Sequence, residues 1–332
     1  MENLTSSDEK TLEQLHALSE KFTRLKDEIG LRIFGQQQVI EQTLITVLAG
    51  GHALLIGVPG LAKTRLAETL GTVLGLSEKR IQFTPDLMPA DILGSEILEK
   101  DDHGKQHFHF IKGPVFCQLL MADEINRASP RTQSALLQAM QEKQITIAGV
   151  AYDLPVPFHV LATQNPIDQE GTYPLPEAQL DRFLMQIDVE YPDSDTERRI
   201  LLETTGNLET EIRPIFNTIE LIQAQELVRD IPVSDHVIEA ILTLVRSARP
   251  ESSDNKLVTE YLTWGPGPRA SQALILAVRA KALLEGRYSP SIDDVIALAP
   301  PILQHRMALT YSARAENLTV GNIISTLLEP LR

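Results

Sequence analysis

The stretch that most constrains this chain is Gly57-Val58-Pro59-Gly60-Leu61-Ala62-Lys63-Thr64, which reads as a phosphate-binding loop. Before it runs Ala53-Leu54-Leu55-Ile56, an apolar run of buried-strand length, and after it Leu66, Leu70, Val73 and Leu74 recur at helical spacing. The loop therefore joins a strand to a helix. In that setting backbone N–H groups at the helix start point at phosphate oxygens, the Lys63 ammonium neutralises their charge, and the Thr64 hydroxyl reaches a magnesium ion. Residues Gly57 through Thr64, with Arg65 directly behind them, are the expected nucleotide contacts. One residue departs from the usual pattern. The position before the lysine, normally glycine, is Ala62, which is harmless if already helical and strained if its φ is positive.

A loop that binds nucleotide needs carboxylates nearby, and a second buried run supplies them. Cys117-Gln118-Leu119-Leu120-Met121-Ala122 ends in Asp123-Glu124. In an open α/β sheet ligands bind outside the carboxyl ends of the strands, so this pair can share a crevice with the loop. There Asp123 would hold magnesium through water and Glu124 would polarise the attacking water as general base. A third run, Pro157 to Thr163, ends in Gln164-Asn165-Pro166, which places the Asn165 amide to sense a γ-phosphate or, more simply, to make an Asn-Pro turn. Two β-hairpins are expected between these strands. One turns at Asp101-Asp102-His103-Gly104 and the other near Gly149. His103, His107 and His109 cluster on the first, where a solvated hairpin face is a better reading than a metal site.

The composition narrows what surrounds this site. With 332 residues, 43% of them hydrophobic, the chain can bury one large core or two. A single cysteine, Cys117, excludes an intramolecular disulfide, and no stretch is long and apolar enough for a signal peptide or a membrane span, so the cytoplasm is the expected location. Thirty basic against forty-five acidic residues give a formal charge of −15, which opposes broad contact with nucleic acid or anionic membranes.

The chain divides into an N-terminal helix over 1–34, a strand-and-helix core over 35–191 and an all-α segment over 192–332 with no convincing strand. Amphipathic spacing of Leu12, Leu15, Leu18, Phe22, Leu25 and Ile29 marks the first helix. In the last segment Ser234 caps a helix with Val237, Ile238, Ile241, Leu242 and Val245 inward, and Pro300-Pro301 is expected to interrupt another. Gly265-Pro266-Gly267-Pro268 opens a helix with Arg269 in its first turn. A cation there opposes the macrodipole, so Arg269 is a candidate anion contact.

Together these motifs resemble an AAA+ ATPase. The segments GVPGLAKT, LLMADEINRASPRTQSALLQAMQE, ATQNPIDQEGTYPLPEAQLDRF and GPGPRASQALILAVRAKALLEGR are similar to the MoxR family, over nearly the whole chain from Gly35, and Ala62 is itself typical of that family. The resemblance implies a parallel five-stranded sheet in the order 5-1-4-3-2, flanked by helices, with two β-hairpin insertions and a helical lid. It also implies a ring, usually hexameric, with ATP between neighbours. Gly57 to Thr64 then match Walker A, Asp123 and Glu124 Walker B, Asn165 sensor 1, Arg182 the arginine finger and Arg269 sensor 2. Arg127 and Arg131 stand as alternatives to Arg182 across an interface. The implied activity is Mg-dependent ATP hydrolysis coupled to chaperone-like remodelling or maturation of partner proteins, including cofactor or metal insertion and often alongside proteins with a von Willebrand factor A domain. A nucleic-acid motor and a nucleotide-gated scaffold with little turnover are the competing readings, and the acidic balance weighs against the first.

Overall fold

The computed structural model describes residues 6–100, 106–167, 171–204 and 211–332. Helix α1 (Ser6–Gly30) buries Phe22, Leu25 and Ile29, as its spacing requires. The side chains of Leu12 and Leu15 lie outside the described residues. Helix α2 (Gln37–Leu48) is buried along most of its length and leads through Gly50-Gly51 into β1 (Ala53–Ile56). The phosphate loop follows, then α3 (Lys63–Val73) and β2 (Glu78–Gln82). Helix α4 (Pro89–Leu93) precedes the antiparallel hairpin of β3 (Gly94–Lys100) and β4 (Gln106–Lys112), in which Leu98 stands opposite Phe108. The turn residues Asp101, Asp102, His103 and Gly104 lie outside the described residues.

Strand β5 (Leu119–Asp123) is followed by α5 (Pro130–Glu142), where Pro130 occupies the first position and the Ser129 hydroxyl accepts from the Thr132 N–H. A second hairpin, β6 (Gln144–Ile147) with β7 (Val150–Asp153), then leads to β8 (His159–Gln164), α6 (Glu177–Leu180) and β9 (Met185–Asp188). The five strands β2-β5-β8-β1-β9 form one sheet in that order, and all its pairs are parallel. Numbered among themselves they run 5-1-4-3-2 from the β9 edge. Strands of this kind are buried on both faces, which is why Leu54, Leu55, Leu120, Met121, Val160 and Leu161 form unbroken apolar runs.

After β9 come α7 (Ser194–Thr204), α8 (Thr218–Asp230), α9 (Asp235–Ser247), α10 (Lys256–Tyr261), β10 (Leu262–Trp264), α11 (Pro268–Leu284), α12 (Ile292–Leu303), β11 (Ala308–Leu309), α13 (Tyr311–Ala315) and α14 (Val320–Leu328). Three expectations need correction. Strands β10 and β11 pair as a small antiparallel ribbon, because runs of three and two residues are too short to show alternation. Pro300 and Pro301 do not interrupt α12. They fall in its last turn, where a missing N–H removes a bond near the helix end without stopping the helix. In α9 it is Leu244 that is buried, whereas Leu242 is 40% exposed, so the inward stripe runs from Ile241 to Leu244 and passes Leu242 by.

Candidate functional site

Because the sheet is parallel, the carboxyl ends of β1, β5 and β8 share one rim, and the candidate residues emerge from it. Gly57 leaves β1 so close to β9 that a Cβ there would stand 2.6 Å from the Val189 carbonyl oxygen, and Gly60 turns the loop at φ +88°. Ala62 has φ 55° and ψ 21°, in the left-handed region, so it is the strained case rather than the harmless one. That conformation costs an alanine about 1 kcal/mol. The Lys63 ammonium donates to the Gly57 carbonyl and, at 3.3 Å, to the Val58 carbonyl. Burial pushes its pKa down, against the pull of the Asp123 and Glu124 carboxylates.

The acidic pair is held from several strands. Thr163 on β8 donates its hydroxyl to Asp123 Oδ1 at 2.6 Å and accepts from the Glu124 N–H at 2.8 Å. The other Asp123 oxygen lies 2.7 Å from the Arg80 guanidinium and 3.5 Å from the Thr64 hydroxyl. Glu124 sits at φ 56°, again left-handed, which turns its carboxylate back over the rim. There Oε2 accepts from Gln82 at 2.6 Å and pairs with Arg127 at 3.1 Å. Asn165 is 7% exposed, and its Oδ1 accepts from the Ile167 N–H at 3.1 Å, which leaves the Nδ2 amide as its free donor face. It is thus both a turn residue and a lining residue.

Pro59 to Arg65, Arg80, Gln82, Asp123, Glu124 and Asn165 together line a cavity of about 440 Å³. A second cavity of about 260 Å³ adjoins it through Gly60, Leu61, Ala62 and Arg65, and is walled by Ile33, Phe34, Gln36, Pro192 and Ile200. Gln36 donates to the Leu61 carbonyl at 3.0 Å, while its buried Oε1 has no partner. A polar chamber next to a more apolar one suits a triphosphate joined to a planar base. The donors beside the loop, a hydroxyl and a carboxylate, are the hard oxygens that Mg2+ takes, in a set small enough to leave room for phosphate oxygens and water.

Arg182 and Arg269 are elsewhere. Leu184 donates to the His52 carbonyl at 2.8 Å, at the amino ends of β9 and β1, whereas Val189 donates to Ile56 at 2.7 Å beside the loop. Five residues of strand separate these points, or about 16 Å. Arg182 therefore stands at the opposite rim from its own phosphate loop. It lines a cavity of about 290 Å³ together with Arg269, Arg306, Lys143, Asp181 and the Gly50-Gly51-His52 backbone. Its guanidinium donates to the Leu137 carbonyl, and its buried Nε has no partner. Arg269 lies 3.5 Å from Asp181. Of the alternatives, Arg127 is paired with Glu124 of its own chain and Arg131 is exposed.

Sequence reasoning missed Arg80, Gln82, Thr163 and the Ile33-Phe34-Gln36 wall. The last has a local signal, a glutamine and an aromatic flanking Gly35 between two helices, while the others come together only when the strand order is known. His107 and His109 are exposed on β4, with His107 3.9 Å from Glu99.

The geometry agrees with comparison to known proteins. Residues 52–185 match the ATPase family associated with various cellular activities (AAA), and residues 255–327 match an AAA lid domain. The chain is 42% identical over 303 residues to Chaperone MoxR1 of Mycobacterium tuberculosis, covering 91% of this chain and 79% of that one. It is 31% identical to Protein MoxR of Paracoccus denitrificans, with 86% and 88% covered. A crystal structure from Cytophaga hutchinsonii superimposes with a TM-score of 0.88 at 39% identity, covering 95% and 96%.

Proposed function

Because the chain belongs to the MoxR family of AAA ATPases, we propose that it hydrolyses Mg·ATP in a ring, hexameric as is usual for such proteins, whose cycle drives chaperone-like remodelling or maturation of a protein client. The chain is an ATPase. The observation that carries the finer reading is the separation of the rims. Lys63, Thr64, Asp123, Glu124 and Asn165 gather in one cavity, whereas Arg182 and Arg269 gather about 16 Å of strand away, beyond the reach of an arginine side chain. A nucleotide at the first rim thus takes those cations from a second copy.

In this reading the loop amides and Lys63 hold the phosphates, and the cavity walled by Ile33, Phe34 and Gln36 takes the base. Thr64 and Asp123 hold Mg2+, which when bound neutralises phosphate charge; Arg80 must then yield part of Asp123. Glu124 orients and deprotonates the attacking water, Asn165 offers its amide to the γ-phosphate, and the neighbour's Arg182 and Arg269 meet the charge of the transition state. The hairpins carry Leu98, Phe108 and Val150 outward, a surface that suits a grip on an unfolded or partner chain. We assign residues 35–191 to the nucleotide core and 192–332 to the lid, with helix α1 (Ser6–Gly30) packed on α3 of the one and α11 of the other. Among the described residues no helix is long and apolar enough to cross a membrane. A cytoplasmic location and a client presented by a von Willebrand factor A domain protein complete the proposal.

The test is subunit mixing. Arg182→Ala keeps ATP binding and loses about three orders of magnitude or more in turnover, the size of an arginine-finger effect. Glu124→Gln binds ATP and does not turn over. Mixed in equal amounts, the two inactive proteins regain hydrolysis at interfaces where the Glu124→Gln copy lends its Arg182. If mixing restores nothing, Arg182 does not act across the interface.

A further inference from the structure

The turn that follows α12, Gln304-His305-Arg306, directs most of its side-chain hydrogen bonds to strand β9 and the residues before it. Gln304 donates to the Gln186 carbonyl at 3.0 Å and to the Asp188 carboxylate at 3.1 Å. His305 Nε2 lies 3.1 Å from the Phe183 carbonyl. Arg306, 2% exposed, places Nε 2.7 Å from Asp181 Oδ1 and donates to the carbonyls of Phe183 at 2.7 Å, Leu184 at 3.2 Å and Ile302. The clamp runs the length of β9. Its Gln304 end grips Asp188, next to the Val189 that packs against Gly57, and its Arg306 end grips the residues on either side of Arg182.

Asp181 is the shared member. One carboxylate oxygen takes Arg306 and the other takes Arg269 at 3.5 Å, so a buried lid arginine and a half-exposed lid arginine compete for one charge beside Arg182. A guanidinium buried this deeply is not an economical source of stability, since an apolar side chain of similar volume avoids the desolvation cost. What it provides is geometry, because a planar fork with its donors on the Asp181 carboxylate and on the carbonyls of Asp181, Phe183 and Leu184 fixes that segment relative to the lid.

We propose that Arg306 is a positioning residue for trans catalysis. By gripping Asp181, Phe183 and Leu184 it sets where Arg182 and Arg269 stand toward a neighbouring nucleotide, and so ties the lid's position to the competence of the arginine-bearing rim. This rests on the reading that those two arginines act across an interface. Arg306 touches no phosphate itself, and its own chain's nucleotide cavity does not include it.

The experiment uses donor copies whose own site is silent. Glu124→Gln alone, Glu124→Gln with Arg306→Lys, and Glu124→Gln with Asp181→Asn are each mixed with Arg182→Ala as acceptor, so every turnover uses a donor's arginine rim. Lysine keeps the charge and loses the fork, and asparagine keeps the shape and loses the shared charge. Expected is at least a tenfold lower restored turnover with either double variant, while each donor binds a fluorescent ATP analogue within twofold of the Glu124→Gln parent and melts cooperatively. A merely structural role would lower melting and binding instead. If Arg306→Lys donors fail to melt cooperatively, Asp181→Asn decides. If a folded double variant restores turnover as well as Glu124→Gln alone, the positioning role is overturned. If Glu124→Gln alone restores nothing, the trans reading has failed and the proposal falls with it.

Discussion

Two buried histidines join β1, β8 and the lid, and their hydrogen bonds predict how the fold responds to acid. His52 Nδ1 accepts from the Val160 N–H at 3.0 Å, which puts its proton on Nε2, 3.4 Å from the Met140 carbonyl. His159 Nδ1 donates to the Gly51 carbonyl at 2.8 Å, and its Nε2 faces the Gln225 amide of α8 at 3.0 Å, an amide that also donates to Val47. Each ring already has one donor and one acceptor in use, so a second proton meets an N–H. Burial accordingly pushes His52 down to about 3 and His159 to about 4, with mutual repulsion adding to the shift on His52. In the unfolded chain both return to about 6.5. The unfolded state therefore takes up protons first, and stability is complete above pH 6.5 and lost as pH falls toward 4. At pH 5 the gap from 6.5 is about 1.5 units, or about 2 kcal/mol for each ring and about 4 kcal/mol for these two together, and His305, which burial and the adjacent Arg306 guanidinium push well below its ordinary value, adds to the loss. The window between pH 5 and 6.5 isolates histidines from carboxylates. Urea unfolding at pH 7.5, 6.0 and 5.0 should show this loss, and His159→Gln, which cannot titrate, should shed one ring's share of it, about 2 kcal/mol, whatever its stability at pH 7.5. Equal stability at pH 7.5 and 5.0, or an unchanged slope in His159→Gln, would refute the argument.

Two further substitutions test the nucleotide rim. Ala62→Gly relieves the left-handed strain at φ 55°, less the entropy a glycine loses on folding, for a net gain of at most about 0.5 kcal/mol of stability in urea unfolding; a loss of stability would mean the loop does not hold that conformation. Gln82→Ala removes one of the two groups on Glu124 Oε2. A hydrogen bond worth about 1 kcal/mol released from the base before the transition state raises kcat by about fivefold with KM for ATP unchanged, and a steady-state assay showing a lower kcat would mean that Gln82 aims the base rather than restrains it.

What the sequence disclosed depended on how locally each feature is written. The phosphate loop and the Asp123-Glu124 pair were legible because strand, turn and functional side chain are consecutive, and a buried parallel strand announces itself as an apolar run that stops at the rim. The sheet order and the finger and sensor roles proposed for Arg182 and Arg269 came through resemblance, since no periodicity states which strands are neighbours. Thr163, Arg80 and Gln82 act on Asp123 and Glu124 from β8 and β2, and become partners only because β5 lies between those strands. Arg306 gave no signal either. A lone arginine after a helix reads as solvated, and only the fold shows that it is 2% exposed and committed to the residues around Arg182.

Backbone strain follows the same division between local and assembled features. Among the described residues, five other than glycine have positive φ: Ala62, Glu124, Lys143, Ala148 and Asn317. Ala148 lies in a hairpin turn and Asn317 is a residue type that tolerates the left-handed region, so neither needs a further reason. Ala62 and Glu124 line the phosphate cavity, and Lys143 lines the arginine cavity at the other rim. A left-handed alanine or glutamate is held only where the surroundings over-determine it. At Glu124 the surroundings are visible: its N–H is fixed by Thr163, and its carboxylate by Gln82 and Arg127. The strain turns the carboxylate out of the strand direction set by Asp123 and over the rim. One residue of ordinary β geometry at that point would carry it back toward the core instead, since successive side chains of a strand face opposite sides. The turn at Glu124 is therefore what would allow adjacent residues to serve in the proposed roles of metal ligand and base on the same side of the sheet's edge.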